Sequence, residues 1–384
     1  MMAQTLVRSR PTALSAVAEI RVSSFLEFLL FACFVLEGAV IPGVPVPGSD
    51  IAVLILVAWT LFRRPRASLA SAQWYLPFWI GLLFYLAVES IVNEADWVRR
   101  ATRLGLMVTL TMVIATGRVN LRNGLVGVLA GGAVNVVLFY LGVAPNTYGG
   151  VLMGYLGDKN VAGMFYCLTP LLLLPFVERA GLRKTLVVYG FVTVFLTGSR
   201  TSLTAFAIAV GWLTMTKRMP RVFQLPVLAL AMLLVNYLEE NFSQSWIFKD
   251  RAGSDELRER IGEAAAAKAA TSPPYGLGLG EAMTTINGHP WFFHDSYLGL
   301  YVEGGWVALF GVVGLFVVLG LGPLSRHAYR RIPALEGAMV ALLICGLKLG
   351  EVFLSLSGFL LLGCLLVSRA AFRPAVDQRF YRGA

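Results

Sequence analysis

The stretch HDSYLGLYVEGGWVALFGVVG, residues 294–314, runs from an ionisable pair, His294 and Asp295, directly into an apolar segment that continues to residue 322. About 20 mostly apolar residues suffice for a helix to span the hydrocarbon core of a bilayer. The junction therefore sets reactive side chains at a membrane surface, where a lipid-linked substrate can meet them. Similar apolar blocks recur along the chain, as PFWIGLLFYLAVESIV (77–92), GMFYCLTPLLLLPFV (163–177) and LPVLALAMLLVNYL (225–238). The chain is 57% hydrophobic and 14% charged, with a mean hydropathy of +0.71. Soluble domains carry about 25% charged residues, so a soluble globular class is excluded.

Only helices and closed barrels satisfy their backbone polar groups inside a bilayer, and continuous apolar runs rather than alternation favour helices. The expectation is an all-α, polytopic integral membrane protein, one transmembrane domain over residues 1–384. By the length rule it has about twelve transmembrane helices. They fall at 24–42, 49–62, 75–93, 104–117, 123–142, 161–177, 185–197, 201–216, 222–238, 297–322, 333–352 and 354–368.

Lys and Arg accumulate in cytoplasmic loops. Arg8, Arg10 and Arg21 precede the first span. Alternate loops then carry Arg63, Arg64 and Arg66; Arg118 and Arg122; Arg179, Arg183 and Lys184; Lys217, Arg218 and Arg221; Arg326, Arg330 and Arg331. The C-terminal tail adds Arg369, Arg373, Arg379 and Arg382. All lie on one side if both termini are cytoplasmic and the span count is even. The net charge of +10 is then mainly topology, and nucleic acid is not an expected partner. Arg99, Arg100 and Arg103 break the pattern. Either they sit on an interfacial helix or they serve the substrate.

Cys33, Cys167, Cys345 and Cys364 all lie in apolar runs without metal-ligand spacing or a disulfide framework, which reads as small buried hydrophobes. The N-terminus, basic ahead of an apolar run and lacking a small-residue cleavage site, reads as a retained signal anchor.

The single long polar stretch between spans is the loop 239–296, placed outside the cytoplasm by the charge pattern. Within it Asp255–Ala270 reads as a short amphipathic helix with Ser254 as N-cap, stopped by the prolines and glycines of TSPPYGLGLG, residues 271–280. A shorter outside loop, 143–160, ends in GDKN.

Three ionisable residues are candidates for chemistry. Arg200 lies in FLTGSRTSL (195–203), between two apolar segments with almost no linker. An arginine there is either snorkelling from a helix end or forming an anion site with Ser199, Thr201 and the following helix N-terminus. A guanidinium grips phosphate bidentately. Arg258, with Arg260 close by, either pairs with Glu256, Glu259 or Glu263 on its own helix face or turns to a ligand. His294 ionises near neutral pH and is a candidate base. Asp295 or Ser296 caps the helix it opens, and Glu303 follows about two and a half turns on. GSRTS lacks the spacing of a P-loop, and Gly276, Gly278 and Gly280 do not form a dinucleotide fingerprint. No metal-ligand spacing occurs, so neither metal nor cofactor is expected.

These motifs, in this order, resemble the O-antigen ligase/polymerase superfamily of bacterial membrane glycosyltransferases. Members show a serine-arginine-threonine motif at a span junction, and a long periplasmic loop with an arginine about fifteen residues before a P-x-x-G-x-G turn. An H-N-x-x-L…E-x-G run opens the next helix. Arg200, Arg258, the 273–278 turn, His294, Leu298, Glu303 and Gly305 match, and Asn160 in GDKNVAG resembles an asparagine before an earlier span. Asp295 replaces the usual asparagine, and Gly262 stands where a tryptophan is common.

The resemblance implies transfer of a glycan from undecaprenyl pyrophosphate to an acceptor hydroxyl at the periplasmic face of the bacterial inner membrane, without metal. The acceptor is either lipid A core, for a ligase, or another lipid-linked glycan, for a polymerase. Arg200 and Arg258 would hold the pyrophosphate and His294 would act as base. Ser199, Thr201, Asn160, Asp295, Glu303 and Arg260 would line the substrate, with membrane lipids around the polyprenyl tail. Arg99, Arg100 and Arg103 would lie within reach of the lipid diphosphate. The competing expectation is a secondary transporter of an anion or lipid-linked saccharide, although the paired inverted halves usual in transporters are not visible.

Overall fold

The computed structural model describes residues 24–41, 43–67, 73–242, 252–322 and 331–370. Each of the twelve expected apolar segments coincides with a helix among them. These are α1 Phe25–Ala32, α2 Gly48–Leu61, α3 Tyr75–Val92, α4 Val98–Ala115, α5 Leu121–Tyr140, α6 Lys159–Leu173, α7 Ala180–Leu196, α8 Arg200–Met215, α9 Gln224–Phe242, α11 Ser296–Gly320, α12 Pro333–Cys345 and α13 Leu356–Ala370. The thirteenth, α10 Ala252–Thr271, occupies the long loop. Four helices among the described residues are long and apolar enough to cross a membrane: Tyr75–Val92, Leu121–Tyr140, Lys159–Phe176 and Ser296–Gly320.

A helix that is apolar all round belongs inside a bundle, and α12 shows it, with every residue from Ala334 to Cys345 buried. Helices α6 and α13 are buried along most of their length beside it. The outer helices turn large side chains outward: Phe84 is 71% exposed, Leu230 67% and Phe310 67%. A shell of exposed apolar side chains around an apolar core is what a lipid environment requires.

Several boundaries differ from expectation. The first span stops at Ala32, followed by a 3-10 turn Cys33–Val35 and two short paired strands, β1 Val40–Ile41 and β2 Val44–Pro47. Prolines at 45 and 47 cannot continue a helix, and Gly38 packs directly on the backbone of Gly157. The 333–352 span ends at Cys345, and residues 346–355 turn back as a loop whose Gly350 lies against the Phe293 carbonyl. Helix α4 begins at Val98, so Arg99, Arg100 and Arg103 sit on the helix itself. Helix α10 starts at Ala252, which puts Ser254 inside it rather than at its cap. The basic tails and Arg326 and Arg330 lie outside the described residues.

Several arginines of the expected cytoplasmic loops bond carbonyls at helix ends or in the adjoining turns. Arg63 donates to the carbonyl of Arg118, Arg118 to Leu61, Arg183 to Leu174, Arg331 to Met219 and Arg369 to Leu319. Cations there satisfy open carbonyls and oppose the negative end of the helix dipole.

The long loop is ordered where it meets the bundle. Residues 283–292 form a hairpin, β3 Met283–Ile286 against β4 His289–Phe292. Its turn, Asn287–Gly288, has both residues at positive φ, the type I′ arrangement that Asn-Gly favours. Lys268 of α10 pairs with Glu281 at 2.8 Å, and alanines 265 and 269 pack on Phe293 and Val302.

The turn 273–280 is seated in a break of α11. Gly304 and Gly305 leave helical geometry there. Pro274 accepts from the Trp306 N–H at 3.0 Å, Val302 accepts from Leu277 at 2.7 Å, and Glu303 accepts from Gly278 at 2.9 Å. On the other side Tyr85 donates to the Tyr275 carbonyl, and Ser90 accepts from the Leu279 N–H. Glycine is required on both faces of this contact. A Cβ at Gly276 would stand 2.6 Å from the Gly304 Cα, and Gly305, at φ +58°, touches the Pro274 carbonyl.

Gly305→Ala should therefore destabilise the protein by about 1–3 kcal/mol from overpacking alone. Gly314→Ala, with nothing within 4 Å of its added methyl, should not. Thermal unfolding of both variants in detergent checks this, and equal midpoints would refute the interlock.

Candidate active site

Two polar clusters form where the loops 143–158, 273–295 and 346–355 meet the bundle. The first is built from four carboxylates and two guanidiniums. Arg100 pairs with Glu303 and with Glu351, each at 2.9 Å. Arg103 pairs with Asp50 at 3.1 Å, Glu37 at 3.3 Å and Glu351 at 3.7 Å. Glu303, 2% exposed, also accepts from the Gly280 N–H. The network thus ties the 273–280 turn to α4.

Glu303 thus lies in an ion pair, and the charges of Arg100 and Arg103 are matched by carboxylates. The adjoining cavity, lined by Arg100, Asp295, Ser296, Glu303 and Glu351 among others, measures about 30 Å³. That leaves room for little more than a few waters, and the ion pairs of this cluster hold the 273–280 turn to α4.

The second cluster contains His294. Its backbone is fixed on both sides: the Phe293 N–H donates to Ala282 at 3.1 Å, and Asp295 caps α11 by accepting from the N–H groups of Tyr297 and Leu298. Ser296 donates to the carbonyls of Leu349 and Gly350, locking the 346–355 loop to the same point. The His294 imidazole makes no hydrogen bond among the described residues, and burial lowers its pKa below the usual value. The charge of Arg258 lowers it further, Asp158 opposes this, and Lys159 adds a smaller push downward. A neutral imidazole able to take a proton is the result. Burial raises the Asp295 carboxyl, which its two backbone N–H donors counteract.

Arg258 has no carboxylate partner among the described residues, so the expected alternative of pairing with Glu256, Glu259 or Glu263 is not what forms. The charge of Arg258 also acts on Tyr148, a phenol pushed up to about 12 by burial and by the hydrogen bond it donates to Asp158 at 2.7 Å. Asp158 is the N-cap of α6, accepting from the N–H groups of Asn160 and Val161. The Lys159 ammonium stands 5.2 Å above the Tyr148 ring.

Arg200 is the first residue of α8, after a turn through Gly198 at φ +59°. Helix α8 begins against the start of α6: a Cβ on Gly163 would lie 2.6 Å from the Ser202 hydroxyl and 2.8 Å from the Ser199 Cβ. Gly163 is four residues beyond Lys159, about 6 Å along the helix. Two helix N-termini thus lie side by side, one led by Lys159 and the other by Arg200. The turn ahead of α6 is anchored by buried Asn135, which bonds Met153, Tyr155 and Tyr166. The Leu152 N–H donates to the Leu196 carbonyl just before the GSR turn.

Several expected ligand residues have structural partners. The Ser199 hydroxyl caps α8 and meets the Ser202 hydroxyl at 2.9 Å. Asp295 is a cap, the Asn160 backbone belongs to the α6 cap, and Arg260 donates to Asn287 of the hairpin at 3.3 Å. Thr201 is buried in the first turn of α8. Asp158, Lys159 and Tyr148 were not singled out by the sequence reading. Asp158 carries a visible signal, an N-cap residue just before an apolar run, whereas Tyr148 carries none.

A larger concavity of about 480 Å³ lies past the C-terminus of α8, lined by Lys217, Arg218, Arg221 and Arg331. It stands roughly 24 Å from Arg200 by the length of that helix, and its lining has cations but no imidazole or carboxylate. Among the described residues no group of three or more His, Cys, Asp or Glu could hold a metal ion. No family model matches the chain, and no curated protein matches it at a significant level.

Removing Arg258 should raise the His294 pKa, because a cation that penalises the imidazolium is lost. The histidine signal followed by NMR against pH should show a midpoint below 6.5 in the native protein and a higher one in Arg258→Gln. An unchanged midpoint would separate the two residues.

Proposed function

We propose that this protein transfers a glycan from a polyprenyl diphosphate to an acceptor hydroxyl at the outer face of a bacterial inner membrane. In this reading all twelve apolar helices cross the bilayer, both termini are cytoplasmic, and the loop containing α10 is periplasmic. The observation that carries it is that the charges of Arg258 on α10 and Lys159 on α6 both act on the buried His294 imidazole, while α8, which begins with Arg200, packs against the start of α6. A neutral base within the field of cations suits displacement at a diphosphate-linked sugar.

Arg200 and Arg258 bind the diphosphate and stabilise negative charge as it grows on the leaving group. Fixed cations in a poorly solvated site do this well. His294 accepts the proton of the attacking hydroxyl and then releases it to solvent. The acceptor oxygen bonds to the anomeric carbon, and the carbon–phosphate oxygen bond breaks with its electron pair remaining on the lipid diphosphate. The family resemblance supports the same assignment, with either lipid A core or a second lipid-linked glycan as acceptor.

In liposomes with undecaprenyl-diphosphate-linked glycan, the purified protein should release lipid diphosphate and extend the acceptor, and a chelator should not change this. Movement of the intact donor across the bilayer without release would replace the reading with transport. Arg200→Ala, Arg258→Ala and His294→Ala should each lower transfer by about 10²-fold or more while the proteins remain folded. Arg200→Lys should also be poor, because an ammonium cannot form the bidentate contact. Full activity in any alanine variant would remove that residue from the mechanism.

A further inference from the structure

We infer that the basic concavity past the C-terminus of α8 is a lipid site that takes the phosphodiester headgroup of an anionic glycerophospholipid. That this lipid belongs to the cytoplasmic leaflet rests on the topology of the transfer reading; the binding itself does not. The space of about 480 Å³ falls within the range usual for ligand sites, about 300–1,000 Å³. It is lined by Lys217 and Arg218 after α8, by Arg221 in the 3-10 turn Arg221–Phe223 before α9, and by Arg331 just ahead of α12. No carboxylate lines it among the described residues.

A buried carboxylate fixes the wall of this concavity. Glu336, in the first turn of α12, pairs with Arg331 at 2.8 Å and accepts from Thr216 at the end of α8 and from Gln224 at 3.0 Å. Arg331 also donates to the Met219 carbonyl at 2.8 Å. The ends of three helices are thereby joined, and Glu336 already answers the charge of Arg331. Lys217 and Arg218 lie exposed on the same concavity, and neither has a carboxylate partner among the described residues. Burial lowers the Arg221 pKa, the charge of Arg331 lowers it further, and Glu336 opposes this. The cations thus stand close enough to repel one another, which an entering phosphate relieves. A free anion would need only these charges, but the site also has an apolar border. Val222 is 73% exposed and Phe223 56%, in the same turn as Arg221, with Met215 and Leu225 exposed on either side in the chain. Cations beside exposed apolar side chains match an amphiphile, and basic pockets between membrane helices bind anionic headgroups.

The test uses full-length protein in a neutral detergent, with calorimetric titration of dioctanoyl phosphatidylglycerol, dioctanoyl phosphatidylcholine and glycerol 1-phosphate. Phosphatidylglycerol should bind more tightly than either of the others. The double variant Lys217→Gln/Arg218→Gln should weaken it by about tenfold or more and leave phosphatidylcholine unchanged; both side chains are exposed, so the fold should tolerate the change. Lys217→Arg/Arg218→Lys, which keeps both charges, should retain the affinity. Val222→Ser/Phe223→Ser should weaken phosphatidylglycerol but not glycerol 1-phosphate. Arg179→Gln/Lys184→Gln, in a different basic loop, should change nothing. Unaltered phosphatidylglycerol binding in the Lys217→Gln/Arg218→Gln variant overturns the inference, as does an equal loss in the Arg179→Gln/Lys184→Gln control, which would mean diffuse attraction. Glycerol 1-phosphate binding as tightly as the lipid would make this a free-anion site and overturn the lipid assignment. Protein that binds phosphatidylglycerol as expected yet transfers no glycan overturns the transfer reading and leaves the lipid site standing.

Discussion

The contact on which the rest of the structure depends is the seating of the 273–280 turn in the break at Gly304–Gly305. A helix broken at depth leaves carbonyl and N–H groups open, and in an apolar environment each must find a partner. The turn supplies them, backbone to backbone, through Pro274, Leu277 and Gly278. Glycines on both sides make the approach possible. The buried Arg100–Glu303 pair then ties this junction to α4. Breaking such a pair by removing one partner strands a charge in the interior, at a cost of about 3–5 kcal/mol. A long polar loop is in this way fastened to the bundle, with Arg258 carried on one side and His294 on the other.

The two polar clusters differ in composition. In the first, carboxylates surround Arg100 and Arg103, and matched buried charge holds a structure in register. In the second, the charges of Arg258, Asp158 and Lys159 all act on the buried His294 imidazole. The same physics accounts for the basic loops, where Arg63 pairs with Glu27 and Arg331 with Glu336 and further arginines end on backbone carbonyls.

Much of the architecture was legible in the sequence because apolar block length is a strong signal. The twelve segments all carry helices, and the amphipathic segment of the loop is helical. The failures have local causes. Proline and glycine between 38 and 48 ended α1 early, and Gly346 and Gly350 ended α12. The hairpin at 283–292 has its signal in Asn287–Gly288, both at positive φ, but its short strands carry no apolar alternation to mark them. Within the site, His294 was legible as an ionisable residue at an apolar boundary and Arg258 as a cation on the helix of the long polar loop. The roles of Ser199, Asp295 and Asn160 were not, since a cap and a ligand contact use the same side chains. Glu303 lies on the helix that opens just after His294, but that helix breaks beside it, and its partner Arg100 lies about two hundred residues away in the chain.

A cryo-electron microscopy structure with a polyprenyl diphosphate bound is the most direct measurement of the central claim. The account predicts the diphosphate between Arg200 and Arg258, its tail between the outer helices and the His294 imidazole facing the sugar position. A diphosphate seated in the basic concavity around Arg218 and Arg331, or an Arg200 side chain turned away from Arg258, would contradict it.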